Sequence, residues 1–461
     1  MALKTVGDQG RPTEAGYRSA GTLYQELLDQ DSRPVPAVLR LESPIPPGVT
    51  RVPAEQYYSK AIHDREVEKI WKRVWQMACR EEDIPEVGDY IVYDIAHLSF
   101  LVVRSAPDRI QAFHNACLHR GRQLREFDGR GAQEFRCPFH GWCWEIDGSL
   151  KEVVCQWDFP EVNERDYHLP EVKVGTWGGF VFINPDPDAE PLEQFLGDLP
   201  RHFERWDLAN RFKQAHVAKI LRCNWKVAQE AFMEAYHVVA THPQLLNGIG
   251  DSNSQYDVFG NFARAITPNG TPSPHLRDIP TQQDMLDAMF DRNLDTPPIA
   301  EVPPGMNARQ FAAMLSREGM RAVIGDDADT YCDAEYLDSF YFTVFPNFHP
   351  WGAFNRITYR FRPHGDNPDE CIMECMFLAP WPKGEPKPPA APIHWLGPDD
   401  DWADAPELGM LARVFNQDTF NIPKVQIGLK TMKRPEVVFA SYNETKIRHF
   451  HQLYDRWMEL E

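Results

Sequence analysis

The sequence predicts an α+β chain: a small all-β domain, then a larger domain in which helices wrap an antiparallel sheet. Three observations predict it. Residues 91–93, 100–103, 143–146 and 180–183 are short β-rich pieces separated by Gly, Pro and Asp. Residues 217–221, 340–345, 354–361 and 372–378 read as strands of an antiparallel sheet. Helical spacing is expected over 224–240, 308–323 and 408–418.

Taken in order, residues 1–50 are rich in Pro and polar side chains and have no long period, which predicts an extended arm. Residues 57–79 are expected as a helix, because Val67, Ile70, Trp71, Val74 and Trp75 fall at helical spacing. The all-β domain is placed at 85–186, ending near Asn184-Pro185-Asp186-Pro187. Residues 51–84 and 187–461 make the larger domain. Long loops are expected over 251–305, where Pro, Asn, Gly and Ser are frequent. Pro423 predicts a kink after 408–418. The last helix is expected to enter through Ser441 and Glu444 as a capping box, with Ile447, Phe450, Leu453, Tyr454 and Trp457 on one face.

The formal net charge of −20 argues against nucleic acid or an anionic membrane as partner. No run of apolar residues is long enough to span a bilayer, and the start, Met1-Ala2-Leu3-Lys4, lacks a signal-peptide core. Nine cysteines is an odd number, and at least two read better as ligands than as bridges. A reducing cytoplasm is therefore expected.

Those two cysteines lie in the stretch that organises the chain. Cys117-Leu118-His119 is followed, after 17 residues, by Cys137-Pro138-Phe139-His140. Each cluster pairs a soft thiolate with an imidazole. A Rieske [2Fe–2S] centre, with two thiolates on one iron and two imidazoles on the other, has this make-up. Cys2His2 zinc is the competing reading, but its usual order places like ligands together, and here Cys and His alternate.

A second constellation runs from Glu230 to Pro243. Glu230, Glu234 and His237 fall at i, i+4 and i+7, so a continuous helix would place them on one face. His242 lies off that face unless the helix ends first, which Pro243 favours. Two His plus one carboxylate form the facial triad of non-haem Fe(II). Asp418 is the expected carboxylate, because it continues the stripe of Leu408, Leu411 and Phe415 where an apolar residue would be expected. Hydrogen-bonded structural His residues are the plainer alternative.

These motifs together resemble the catalytic α subunits of Rieske non-haem iron ring-hydroxylating oxygenases. The resemblance covers nearly everything from about residue 50 onward. Its motifs are Cys117-Leu-His119-Arg-Gly, Cys137-Pro-Phe-His140-Gly-Trp, Asn224-Trp-Lys, the Glu230–His242 run and Phe415-Asn-Gln-Asp418. It implies that Cys117, His119, Cys137 and His140 hold the cluster, and that His237, His242 and Asp418 hold a mononuclear Fe(II). It also implies a helix-grip-like catalytic domain and a homotrimer, with or without a β subunit. Glu234 would then bridge His140 of one chain and His237 of the next; the family more often has Asp there. Ala231, Phe232, Ala235 and Val238 are expected as pocket walls.

The chain carries no nucleotide-binding glycine motif, so a separate reductase, with or without a ferredoxin, is expected to supply electrons. The implied activity is O2-dependent mono- or dihydroxylation of an apolar aromatic or polycyclic molecule. N- or O-demethylation of a small molecule is the alternative. A metal-stabilised electron carrier or binding protein is the non-enzymatic one.

Overall fold

A computed structural model describes residues 10–13, 16–19, 21–45, 48–290, 300–382 and 384–460. The start of the expected arm and part of the expected 251–305 loop lie outside the described residues.

The smaller domain is built on a six-stranded antiparallel sheet in the order Gln76–Arg80, Phe180–Asn184, Glu171–Trp177, Arg109–His114, Leu98–Ala106, Tyr90–Ile95. A three-stranded sheet, Glu134–Arg136, Cys143–Glu145 and Leu150–Glu152, stands beside it. The first strand corrects two expectations. Helix Lys60–Glu66 passes into a π turn over Val67–Trp71 and stops there. Residues 76–80 then pair with Phe180–Ile183, so this domain begins about ten positions before 85. All five residues of Gln76–Arg80 are buried, which explains how a strand can imitate one face of a helix in the sequence.

The larger domain holds an eight-stranded sheet in the order Gln255–Phe259, Phe262–Thr267, Ser339–Val344, Phe348–Pro350, Ile357–Pro363, Cys371–Ala379, Phe212–Leu221, His394–Leu396. Only the last pairing is parallel. Its first two strands form a hairpin within the expected loop region; Gly260, at φ 42°, makes that tight turn, and helix Gln282–Met289 follows. Helix Trp225–Glu230 packs on strands Ile357–Pro363 and Cys371–Ala379, and helix Thr445–Glu459 packs on the hairpin. Helix Ala308–Ile324 lies where it was expected.

One hydrophobic core joins both domains: Phe180 and Phe182 meet Phe348 at ring distances of 4.8 and 5.4 Å. Arg360 crosses the junction to the carbonyl of Met77 at 2.8 Å. The described part of the arm is tied to the larger domain. Tyr24 and Leu28 are buried, and the Ser43 amide donates to Asp257 Oδ1 at 2.8 Å.

Candidate metal centres and the cavity beside them

The two Cys/His clusters form two loops with one hydrogen-bond pattern. The Cys117 amide donates to the Arg122 carbonyl (2.8 Å), and the Gly121 amide donates to the Cys117 carbonyl (2.8 Å). The Cys137 amide donates to the Trp142 carbonyl (2.7 Å), and the Gly141 amide to the Cys137 carbonyl (3.1 Å). Gly121 and Gly141 take φ of 74° and 81°, so each loop needs glycine where it turns back.

Both thiols are buried and unbridged. Burial and the neighbouring Cys137 thiol push the Cys117 thiol up. The rings of His119 and His140 are 4.6 Å apart, and His119 stacks on Trp142 at 5.1 Å. His119 Nδ1 is buried with no hydrogen-bond partner. A buried imidazole nitrogen without a partner, beside two free thiols and a second imidazole, fits a metal cluster and is costly without one. His140 and Phe139 lie at the exposed tip, where slight desolvation and then Arg120 lower the His140 imidazole.

The second constellation forms differently from the expected single helix. Helix Trp225–Glu230 ends, and a four-residue helix, Val238–Thr241, follows after a break. Within the break the Ala235 amide donates to the Tyr256 hydroxyl at 3.0 Å, and the His237 amide donates to Glu234 Oε2 at 3.0 Å. Both donors are thereby withdrawn from the helical ladder, so Glu230, Glu234 and His237 do not share one helical face. His242 has φ −124° and ψ 56°, outside the α region, as Pro243 demands.

The break brings the expected ligands together. His242 Nε2 is 2.9 Å from Asp418 Oδ1, and His237 Nε2 is 3.6 Å from it. One donor atom from each of His237, His242 and Asp418 falls within 4.8 Å of the others. Each imidazole is held from behind. Glu234 Oε1 lies 2.6 Å from His237 Nδ1, and Gln417 Oε1 lies 2.9 Å from His242 Nδ1. Both contacts favour a proton on Nδ1 and leave Nε2 facing Asp418. Burial lowers the His237 imidazole, but the Glu234 carboxylate, then Asp418, carries it up to about 9. The donor set and its orientation fit a mononuclear metal.

Asp418 sits on helix Leu411–Leu429, which runs through Pro423 without ending. The helix continues because buried residues anchor it on both sides of the proline, Phe415 and Ile422 before and Gln426 and Leu429 after. Likewise, the last helix starts at Thr445 with Glu444 as its N-cap, and Ser441 is not the cap.

A cavity of ≈ 560 Å³ opens at the triad, with His237 and Asp418 in its wall. Of the four expected wall residues, Ala231 lines it. Phe232 instead packs on Tyr359, Phe361 and Phe415, with ring distances of 5.1, 5.3 and 6.0 Å. Ala235 and Val238 belong to a separate small core with Leu246 and Leu276. These three point away because the helix that would have aligned them is broken. Sequence reasoning missed Ile422, Val425 and Leu429, which line the cavity. They follow Asp418 at helical spacing, a signal masked by the kink expected at Pro423. It also missed Tyr57 and Phe439, which no local pattern marks, and gave Gln417 and Glu444 no part in the site.

Two donor sets, one with the make-up of a Rieske cluster and one a two-His, one-carboxylate triad, define an iron–sulfur protein with a second metal centre. Comparison with known proteins agrees. The family model "Ring hydroxylating alpha subunit (catalytic domain)" matches residues 198–460, and "Rieske [2Fe-2S] domain" matches residues 74–163. The chain belongs to the ring-hydroxylating alpha-subunit family, whose two domains imply a Rieske cluster and a mononuclear iron.

The chain is 30% identical over 191 residues to the biphenyl 2,3-dioxygenase subunit alpha of Rhodococcus jostii (strain RHA1), covering 40% of this chain and 42% of that one. It is 29% identical over 195 residues to the glycine betaine monooxygenase oxygenase subunit of Pseudomonas aeruginosa (strain UCBPP-PA14), covering 42% and 45%. The match thus spans less than half the length of these relatives. The fold is also that of a naphthalene 1,2-dioxygenase variant bound to phenanthrene, with TM-score 0.63, 18% identity and coverage of 89% and 92%. No described helix is long and apolar enough to cross a membrane.

Proposed function

We propose that this chain is the terminal oxygenase component of a Rieske oxygenase system, acting on a largely apolar organic molecule. The observation that carries the reading is the convergence of His237, His242 and Asp418, with His237 and Asp418 in the wall of a cavity big enough for a small organic substrate. A mononuclear iron held by His237, His242 and Asp418 would supply O2 activation, and a cluster held by Cys117, His119, Cys137 and His140 would supply electrons. The chain's own residues prepare the site. Glu234 and Gln417 hold the two imidazoles so that Nε2 faces the metal position. Ala231, Ile422, Val425, Leu429 and Ile447 give an apolar wall that excludes water.

Hydroxylation of an aromatic or polycyclic substrate is the first reading of the chemistry, in line with the likeness to biphenyl dioxygenase. Demethylation at nitrogen is the second. It is favoured by the likeness to glycine betaine monooxygenase and by the carboxylates in the cavity wall. A separate reductase, with or without a ferredoxin, delivers the electrons. We read the assembly as a homotrimer, which the exposed position of His140 supports, since a partner chain can reach it there.

Metal analysis with isotope labelling tests the proposal. About three irons per chain are expected, two in the cluster and one in the triad. Product formed by the reduced protein under 18O2 should carry the label. A zinc-loaded protein, or iron in the cluster alone with no substrate-dependent O2 uptake, would return the chain to the electron-carrier reading.

A further inference from the structure

The cavity wall is rich in carboxylates. Five carboxylates line it, Glu230, Glu234, Asp418, Glu436 and Glu444, and among the described residues no lysine or arginine does. Three of the five are accounted for. Asp418 belongs to the triad, Glu234 holds His237, and Glu436 pairs with Arg51 (3.5 Å) and Arg434 (3.4 Å).

Glu230 and Glu444 remain. Glu230 takes hydrogen bonds from the Tyr57 hydroxyl at 3.0 Å and from His451 Nε2 at 2.8 Å. His451 Nδ1 is buried without a partner. Glu230 therefore has two donors, a hydroxyl and an imidazole, and no lysine or arginine in contact. The hydrogen bond found for Glu444 comes from the Ala440 amide. Two lysines lie behind the wall, and each has its own acceptor. Lys226 is paired with Glu66, and Lys446 donates to the Tyr341 carbonyl at 3.0 Å.

A carboxylate held in a mostly apolar cavity without a cation is costly. Burial and the carboxylates of Glu234 and Glu230 push Glu444 up to about 7, although the Ala440 amide opposes this. The same wall carries two aromatic rings, Tyr57 and Phe439. Carboxylates plus ring faces are the chemistry that receives an organic cation. Away from the triad, an anion would meet carboxylates and no lysine or arginine among the described residues.

We infer that the substrate of this cavity carries a positive charge, as a protonated or quaternary amine on an apolar body, received by Glu230 and Glu444 with Tyr57 and Phe439. This rests on the reading above that the cavity is the substrate site. It separates the two substrate types among the relatives by a property of this chain's own wall, and it excludes carboxylate-bearing arenes.

The test uses the holoenzyme and three probes of similar shape: benzyltrimethylammonium, its neutral isostere neopentylbenzene, and the anion benzylsulfonate. Equilibrium dialysis measures affinity, and O2 uptake by the reduced protein measures turnover. The neutral isostere is less hydrated, so the deciding quantity is the ratio of cation to isostere affinity, compared between proteins. Glu444→Gln and Glu230→Gln should each lower that ratio about tenfold. Affinity for neopentylbenzene should stay within about twofold, and benzylsulfonate should bind weakest to the parent protein. An unchanged ratio in both variants overturns the inference, as does binding of benzylsulfonate equal to that of the cation. So does failure of all three probes to bind. If the ratio falls as expected but no probe stimulates O2 uptake, the charge preference stands and the oxygenase reading falls. If neopentylbenzene alone drives uptake, the oxygenase reading stands and the inference falls.

Discussion

Glu234 grips His237 twice, with Oε1 2.6 Å from the ring Nδ1 and Oε2 3.0 Å from the backbone amide. The second contact helps to break the helix, and the first aims the ring. A Glu is long enough to do both within three residues. In the trimer read above, the same carboxylate is also the group that can meet His140 of a neighbouring chain. Glu234→Gln is nearly isosteric but cannot accept with both ends. It should keep the metals and the trimer yet lose most turnover. Stopped-flow mixing of reduced protein with substrate and O2 should show slow oxidation of the cluster. Near-normal single-turnover transfer would leave Glu234 with only its local role.

Removing a ligand should be separable from damage to the cluster. His237→Ala, His242→Ala and Asp418→Ala should each lose the mononuclear iron and turnover while the protein stays red-brown, because three donors are the minimum set. Metal analysis and the visible spectrum check this together. Retained iron and rate in Asp418→Ala would mean that another carboxylate is the ligand.

At the other centre, His119→Cys or His140→Cys should change or abolish the Rieske EPR signal, since imidazole on one iron sets its potential and spectrum. His119 Nδ1 is the buried nitrogen without a partner, so the larger structural cost is expected there.

Gln417 is a positioning residue for His242. Its oxygen also accepts from Gln244 Nε2 at 2.8 Å, and its own amide donates back to Gln244 at 3.2 Å. This pair ties the segment after His242 to the helix that carries Asp418. Gln417→Leu should weaken iron retention about 10–100-fold, measured by chelator competition, with the cluster spectrum unchanged. Gln417→Glu should restore much of it, because the acceptor returns.

Glu444 gives a pH prediction. Burial first, then Glu234 and Glu230, lifts its carboxyl from 4.5 to about 7, against the Ala440 amide. The folded state therefore holds this proton more tightly than the unfolded chain. Its contribution to stability is complete below pH 4.5 and is lost as pH rises through about 7. Glu444→Gln removes the loss and should stabilise the protein at pH 8, by on the order of 3 kcal/mol. Denaturant midpoints at pH 5 and pH 8 check it. An equal change at both pH values would show that Glu444 is not shifted.

Much of the fold and half of the site were legible in the sequence. Strands such as Cys371–Ala379 and Phe180–Asn184 announce themselves as apolar runs. Gln76–Arg80 did not, because a fully buried strand has no alternation to distinguish it from a buried helix. The same limit misplaced Phe232, Ala235 and Val238. Their facing was argued from an unbroken helix, and the break depends on Tyr256, a residue outside the segment.

What the sequence by itself determined is the chemistry that spacing can hold. C-x-H and C-x-x-H loops, each closed by a glycine at positive φ, set one thiol beside one imidazole in each loop by short-range geometry. Pro243 likewise forces His242 out of the helix through its own backbone. Only the tertiary structure decided what faces these donors. Gln417 lies 175 positions from His242, and Tyr57 lies 173 from Glu230. No local rule reaches that far. Which carboxylate meets the histidines, which amide orients them, and which charges line the cavity depend on how helix Leu411–Leu429 and helix Thr445–Glu459 pack around the sheet. Packing is a property of the whole buried surface, and one chain segment read alone does not contain it.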